Sequence, residues 1–417
     1  MSLPTLSSFA QGLRSETAFD VLAVAKRLKA QGKDVIELQI GDSPFPSTRS
    51  ALDAGHRAID GGATHYCASL GLTEFRETIA RNFTTEFGVA ITAENVVVGP
   101  GAKVFEQFFC EAFLNPDDAV LVFTPHFPTY GPNIERRRAR AVFAPLRQEN
   151  QFRPDLNDVE RFLKEVPRAR AVFLNSPHNP TGGVATSEDL RGLADLVRGR
   201  DVAIFSDEPY CHMVWEGNHH AMLAQPEMLD QCVAAYTFSK SYSMSGWRLG
   251  YAITNPAVAD VLGKLTNTSL SCVPPIVQRA GMAALENDAD ERDEVMQRFH
   301  KKVRLLVEEL RLVEGVKVLM PAGTFYVFPD VSAICRRLRI QSHGLAMYLL
   351  EGADERLGVA CLGGECFGPA GQGFLRFSCA EPDERLHQAV RFLAEAITRE
   401  ELVRRYLDGH PKYRLAS

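Results

Sequence analysis

Two periodicities alternate along the chain and set out its architecture. Apolar residues at helical spacing (Phe19, Leu22, Ala25 and Leu28) follow Thr17-Ala-Phe-Asp20, which has the shape of a helix start, and Gly32 ends the run. Beyond it, short β-branched runs predict strands over 35–40, 96–98, 119–123, 171–174, 202–205, 233–238 and 249–253, with helical stretches between them. Strands that are apolar on both faces and alternate with helices predict a mainly parallel sheet covered on both sides. From about 280 to 312 the pattern predicts one long helix with a charged face that includes Arg298, Lys302 and Glu309, a length suited to connecting two domains. A strand-like run over 323–328, a helix near Leu345, a Gly-rich loop over 363–373, a strand over 375–378 and a closing helix then read as a smaller α+β unit. The expected division is a large domain over 49–290 and a small domain made of 1–48 and 291–417.

Composition narrows the class. With 417 residues the chain is long enough for one large core and a smaller one, and 45% hydrophobic against 24% charged residues excludes wholesale disorder. The net charge of −6 offers no basic field for nucleic acid or an anionic lipid surface. No apolar run approaches the roughly 18 to 20 residues of a membrane helix, and no early basic segment precedes an apolar stretch, so a cytoplasmic protein is expected. Nine cysteines without a CxxC pair argue for reduced core residues rather than a disulfide framework or zinc site.

Candidate chemistry lies at the ends of the predicted strands. Lys240, in Thr237-Phe-Ser-Lys-Ser-Tyr-Ser, leaves a strand beside small residues that permit close approach, as a Schiff-base amine requires. Asp207 and Tyr210, in Ser206-Asp-Glu-Pro-Tyr210, and Asn179, in a Pro- and Gly-rich turn, stand just beyond two other strands, where α/β proteins bind ligands. Gly99-Pro-Gly-Ala-Lys103 joins a strand to an apolar helix. The backbone N–H groups of Gly101, Ala102 and Lys103 there form an anion site of helix N-terminal type, with neither a Walker nor a dinucleotide fingerprint. Arg376, on an apolar strand, needs an anion to offset its desolvation, and a carboxylate matches its planar fork. The cluster Asp207, Glu208, His212, His219 and His220 lacks HExxH spacing and is set aside as a metal site; His65, His126 and His178 are read as neighbours of the pocket.

Taken together, Ile40-Gly-Asp-Ser-Pro-Phe45, the Asn179-Pro-Thr-Gly182 turn, Asp207-Glu-Pro-Tyr210, the Lys240 segment and Gly373-Phe-Leu-Arg376 give the chain an ordered set of motifs that resembles the class I/II aminotransferases among the fold-type I pyridoxal-phosphate enzymes. The resemblance covers nearly the whole chain. It implies a large domain whose seven-stranded, mainly parallel sheet lies between helices, plus a smaller α+β domain.

For the site, the resemblance implies that Lys240 forms the internal aldimine with pyridoxal 5'-phosphate and later moves the proton. Asp207 would pair with the pyridine nitrogen, Asn179 and Tyr210 would bond the phenolic oxygen, and Phe127 would stack on the ring. Gly101, Ala102, Lys103, Arg248 and a hydroxyl from Thr237 or Ser239 would hold the phosphate, with Tyr66 reaching the phosphate of a neighbouring subunit in a homodimer. Arg376, with the Gly41 backbone, Phe127 and Asn179, would receive the substrate.

The implied reaction moves the amino group of an L-amino acid to a 2-oxo acid such as 2-oxoglutarate, through pyridoxamine phosphate. Lys103, Ser15 and Thr17 resemble positions that meet a distal carboxylate, which favours an acidic donor such as aspartate; Phe9, Phe45 and Tyr326 offer an apolar lining instead. Two other outcomes share these motifs: a carbon–sulfur β-lyase, and a regulatory protein that binds the cofactor without turnover.

Overall fold

The computed structural model describes residues 4–13 and 17–415. Its strands are β1 (Asp34–Glu37), β2 (Val96–Gly99), β3 (Ala119–Thr124), β4 (Arg140–Pro145), β5 (Ala169–Asn175), β6 (Ala203–Asp207), β7 (Cys232–Thr237), β8 (Gly250–Ile253), β9 (Tyr326–Val327), β10 (Leu357–Ala360), β11 (Leu362–Gly363) and β12 (Leu375–Ser378). Seven of them form one sheet in the order β2-β8-β7-β6-β5-β3-β4. β8 runs antiparallel to both of its neighbours and the remaining pairs are parallel, so β2, β3, β4, β5, β6 and β7 end on the same edge. This is the mainly parallel, helix-covered sheet expected from the alternating pattern.

Two strands differ from the expectation. The run predicted over 35–40 does not join the large sheet: β1 pairs in parallel with β10, and the chain leaves regular structure after Glu37. The seventh strand is β4, whose Arg140, Phe143 and Pro145 are exposed. An edge strand has no second neighbour and no need of a continuous apolar run, so its sequence carries little strand signal. Antiparallel β11-β12-β9 forms a separate small sheet.

The helix Lys103–Phe113 shows how sequence places the site. Phe105, Phe108 and Phe109 recur on one face and are fully buried against Val120 and Val122 of β3, Phe173 of β5 and Phe205 of β6. Each such phenylalanine contributes about 1.5 to 3 kcal/mol by leaving water. With that face fixed on the sheet, the helix N-terminus has one position, above the end of β2.

The long helix predicted over 280–312 is two helices, Pro275–Asn287 and Ala289–Leu310, interrupted at Asp288. The interruption has a partner elsewhere. The buried Asp288 carboxylate accepts from the backbone N–H of Ser50 and of Ala51, each at 3.3 Å, and so caps the helix Arg49–Asp60 that packs along Pro275–Asn287. The second helix keeps its stripe: Met296, Phe299, Val303, Leu306, Val307 and Leu310 are buried at helical spacing. No helix of the described residues is long and apolar enough to cross a membrane.

Removing the Asp288 carboxylate strands two N–H groups inside the protein. Asp288→Ala should cost about 1 to 3 kcal/mol of stability, read as a lower urea midpoint, and Asp288→Asn, which keeps one acceptor oxygen, should lose less.

Candidate active site

A cavity of about 500 Å³ opens at the carboxyl-terminal edge of the large sheet, faced by the segment after β1 and by β12. Five turns meet there, following five of the six strands that end on that edge. Lys103 begins the helix after β2, Phe127 follows β3, Asn179 follows β5, Asp207 ends β6, and Lys240 lies three residues beyond β7. Ala102, Tyr210, Thr237, Ser239 and Arg248 complete the predicted cofactor set on the wall, and Gly41 and Arg376 close the opposite side.

Gly101 stands just behind the wall. Its φ is +91°, and a Cβ there would come within 2.8 Å of the Arg248 Nη2, so the bare backbone is what lets the guanidinium lie over the helix start. Arg248 is held in place by the carbonyls of Ser245 and Pro100, at 2.7 and 3.0 Å. Thr237 Oγ1 and Ser239 Oγ lie 2.9 Å apart, and the Thr237 hydroxyl also donates to the Leu249 carbonyl at 3.2 Å. Tyr66 does not reach its own chain's cavity; it is 87% exposed.

The charged groups are arranged around this cavity. Lys240 Nζ donates to the Gly41 carbonyl at 2.6 Å and lies 5.7 Å from the Tyr210 ring and 5.6 Å from the Phe325 ring. Burial pushes the Asp207 carboxyl up to about 6; a hydrogen bond from Tyr130 acts against this, and the charge of adjacent Glu208 adds to it. Burial likewise raises the Tyr210 phenol well above its ordinary range, so it stays protonated, 3.1 Å from the Tyr326 hydroxyl. Arg376 is 4% exposed, and its bonding partners are neutral: Asn179 Oδ1 at 3.0 Å and the Gln39 carbonyl at 2.5 Å, with Nε unsatisfied. A buried guanidinium with spare donors facing a cavity is poised for an anion.

The specificity residues separate. Lys103 lines the cavity with its Nζ 5.0 Å from the Phe127 ring. Thr17 bonds Cys366 rather than lining the cavity, and Ser15 lies outside the described residues. Of the apolar alternatives only Tyr326 lines it; Phe45 packs edge-on against Phe299 at 5.1 Å, and Phe9 faces Arg136. In the set aside as a metal site, Glu208 accepts from His219 at 2.7 Å and Tyr236 at 2.8 Å.

Sequence reasoning missed four contributors. Asn175 ends β5, donates to the Asp207 carbonyl at 2.8 Å and accepts from the Asn179 N–H at 2.9 Å, which locks two predicted residues together. Gln39 and Glu106 also line the cavity, and Tyr130 bonds Asp207 from outside it. Only Asn175 carried a sequence signal, its place at the head of the Pro- and Gly-rich turn.

A family model described as aminotransferase class I and II matches residues 33–393. The chain belongs to the class I and II aminotransferases. It is 32% identical to an aspartate aminotransferase of Pyrococcus horikoshii, over 88% of this chain and 91% of the relative. It is 31% identical to an arginine–pyruvate transaminase of Pseudomonas aeruginosa, over 93% of this chain and 97% of that one. The solved Thermus thermophilus aspartate aminotransferase with maleate superposes with a TM-score of 0.88 at 30% identity, covering 94% of this chain and all of the other. The transaminase is accordingly a pyridoxal-phosphate-dependent enzyme of fold type I that acts on amino and 2-oxo acids. Its own residues fit that cofactor, with anion donors at the Gly101 cradle and the Arg248 guanidinium over it, a buried carboxylate in Asp207 and an amine in Lys240.

Two histidines beside this transaminase site give it a pH limit. Burial holds His178 down to about 3 and His126 to about 4, so both are neutral in the folded enzyme and protonate in the unfolded chain near 6.5. The unfolded chain therefore binds more protons below that value, and the stability these groups contribute, complete above pH 6.5, is lost as pH falls toward 3 to 4. His178→Asn should flatten the acid side of the curve of urea midpoint against pH.

Proposed function

We propose that this transaminase moves the amino group of an L-amino acid, by preference an acidic one such as aspartate, to 2-oxoglutarate, and that it works as a homodimer in the cytoplasm. The observation that carries the substrate reading is Arg376, a buried cation whose bonding partners are neutral and which lines the same cavity as Lys240. An α-carboxylate on Arg376 satisfies its spare donors and orients the amino group toward the lysine side. Both amino and oxo acids carry that carboxylate, as a transaminase requires of one site.

Bound pyridoxal phosphate supplies an electron sink for the substrate's Cα. The remaining tasks belong to the chain. Lys240 would hold the cofactor through its amine and supply the group that moves the proton. Asp207 would face the ring nitrogen, whose positive charge would offset the burial that otherwise raises its carboxyl. Asn179 and Tyr210 would bond the ring oxygen, Phe127 would lie against the ring, and Gly101, Ala102, Lys103, Arg248 and the Thr237 or Ser239 hydroxyl would hold the phosphate. Gly41 and Arg376 receive the substrate in the cleft between a large domain, 49–290, and a small one, 1–48 with 291–417.

Lys103 supports the acidic preference, because it adds a second cationic side chain, besides Arg376, to a cavity wall it shares with Phe127. The exposure of Tyr66 supports the dimer, since a phenol without a role in its own chain is available to a partner's phosphate. Nine free cysteines suit a reducing compartment.

In a screen of amino donors against 2-oxoglutarate, aspartate or glutamate should give the highest kcat/KM. Arg376→Lys, which keeps the charge but loses the fork, should raise KM for donor and acceptor alike with a loss of about 2 to 4 kcal/mol in transition-state stabilisation. Efficient turnover of amines lacking a carboxylate would refute the reading. Mixing Lys240→Ala with Tyr66→Phe chains should restore activity by creating heterodimers with one intact site, provided subunit exchange is verified by mass.

A further inference from the structure

Asp207 receives its side-chain hydrogen bond from a residue outside every motif above. Tyr130 donates to Asp207 Oδ2 at 2.6 Å, and both residues are buried. Burial and the neighbouring carboxylates push the Tyr130 phenol well above its ordinary range, so in this contact it is always the donor.

Tyr130 is also fixed from its other sides. Its ring meets Phe173 of β5 edge-on at 5.1 Å and the Phe127 ring edge-on at 5.9 Å. The preceding residue, Thr129, donates to the buried Glu106 carboxylate at 2.5 Å, on the first turn of the helix that begins at Lys103. The segment carrying Phe127 is thus bound to that helix through Thr129 and to the end of β6 through Tyr130.

We propose that Tyr130 is a positioning residue of this transaminase, whose hydroxyl keeps the Asp207 carboxylate in one orientation toward the cavity and ties it to the segment that carries Phe127. The proposal rests on the reading of Asp207 as the partner of the cofactor's ring nitrogen. Besides Tyr130, the charged and titratable groups facing that carboxylate are Glu208 beside it, Lys103 from the helix after β2, Lys240 from the turn after β7, and Tyr210. Burial and Glu208 favour its neutral form, while Lys103, Lys240 and the Tyr130 hydrogen bond favour the charged form that a protonated ring nitrogen needs. The tyrosine adds direction to charge, because a hydrogen bond at this distance fixes which oxygen remains for the cofactor.

Tyr130→Phe removes the hydroxyl and retains the ring contacts. The full chain, stripped of cofactor, is titrated with pyridoxal phosphate by visible absorbance between pH 5 and 8 as parent, Tyr130→Phe, Asp207→Asn and the double variant. Tyr130→Phe should weaken binding on the order of ten-fold, and the pH below which binding fails should rise, since a donor that favours the carboxylate is gone. In turnover, kcat should fall with the donor KM little changed. In the Asp207→Asn background the same substitution should alter affinity less than about two-fold.

An equal loss in both backgrounds, or no loss in the parent while Asp207→Asn alone weakens binding, would overturn the role of Tyr130 and leave that of Asp207 intact. Asp207→Asn without effect on its own would overturn the reading of Asp207, and the proposal with it.

Discussion

A guanidinium withdrawn from water without a carboxylate beside it is the constraint around which this molecule is organised. Arg376 belongs to β12 of the small sheet, yet its two donor contacts go to Asn179, beyond β5 of the large sheet, and to the Gln39 carbonyl beyond β1. Desolvating a cation costs several kcal/mol, which neutral dipoles offset only in part. The remainder is available to an anion that enters the cavity. The same side chain therefore fastens three segments distant in sequence and leaves the cavity with an unsatisfied preference for negative charge.

The opposite wall reverses the signs. Asp207 and Glu208 are consecutive buried acids, and the alternation of side chains along an extended strand sends them to different neighbours. Glu208 is enclosed by Ser206, His219, Tyr236 and the Met222 N–H, so its charge is spread over four donors away from the cavity. Asp207 is left with one phenol, and the lysines act on it through space. Adjacent residues of the same chemistry thus have separate duties, assigned by which side of the strand supplies donors.

Much of this was legible beforehand, and the reasons are local. Parallel strands buried on both faces produce runs that cannot be mistaken for much else, and the turns at their ends carry the Gly, Pro and Asn that backbone geometry requires, so Lys240, Asp207 and Asn179 could be named from spacing and resemblance. What escaped depended on contacts remote in sequence. β4 hides its strand character because one edge is solvent; Asp288 breaks a continuous helical pattern to serve the helix Arg49–Asp60; and Tyr130 meets Asp207 across 77 residues with an ordinary turn sequence around it. None of these leaves a periodic trace.

The bare backbone at Gly41 has a consequence for how such a pocket can diversify. A side chain there would overlap the Tyr326 hydroxyl, and the position also presents its carbonyl to Lys240. A side chain at this position is therefore admitted only if the buried Tyr326 ring gives way. Phe19, which is exposed, and Ile40, which is half-buried, line the same cavity and are less confined than Gly41. Room for a different substrate side chain is thereby greater beside Phe19 and Ile40 than at the residue that faces Lys240.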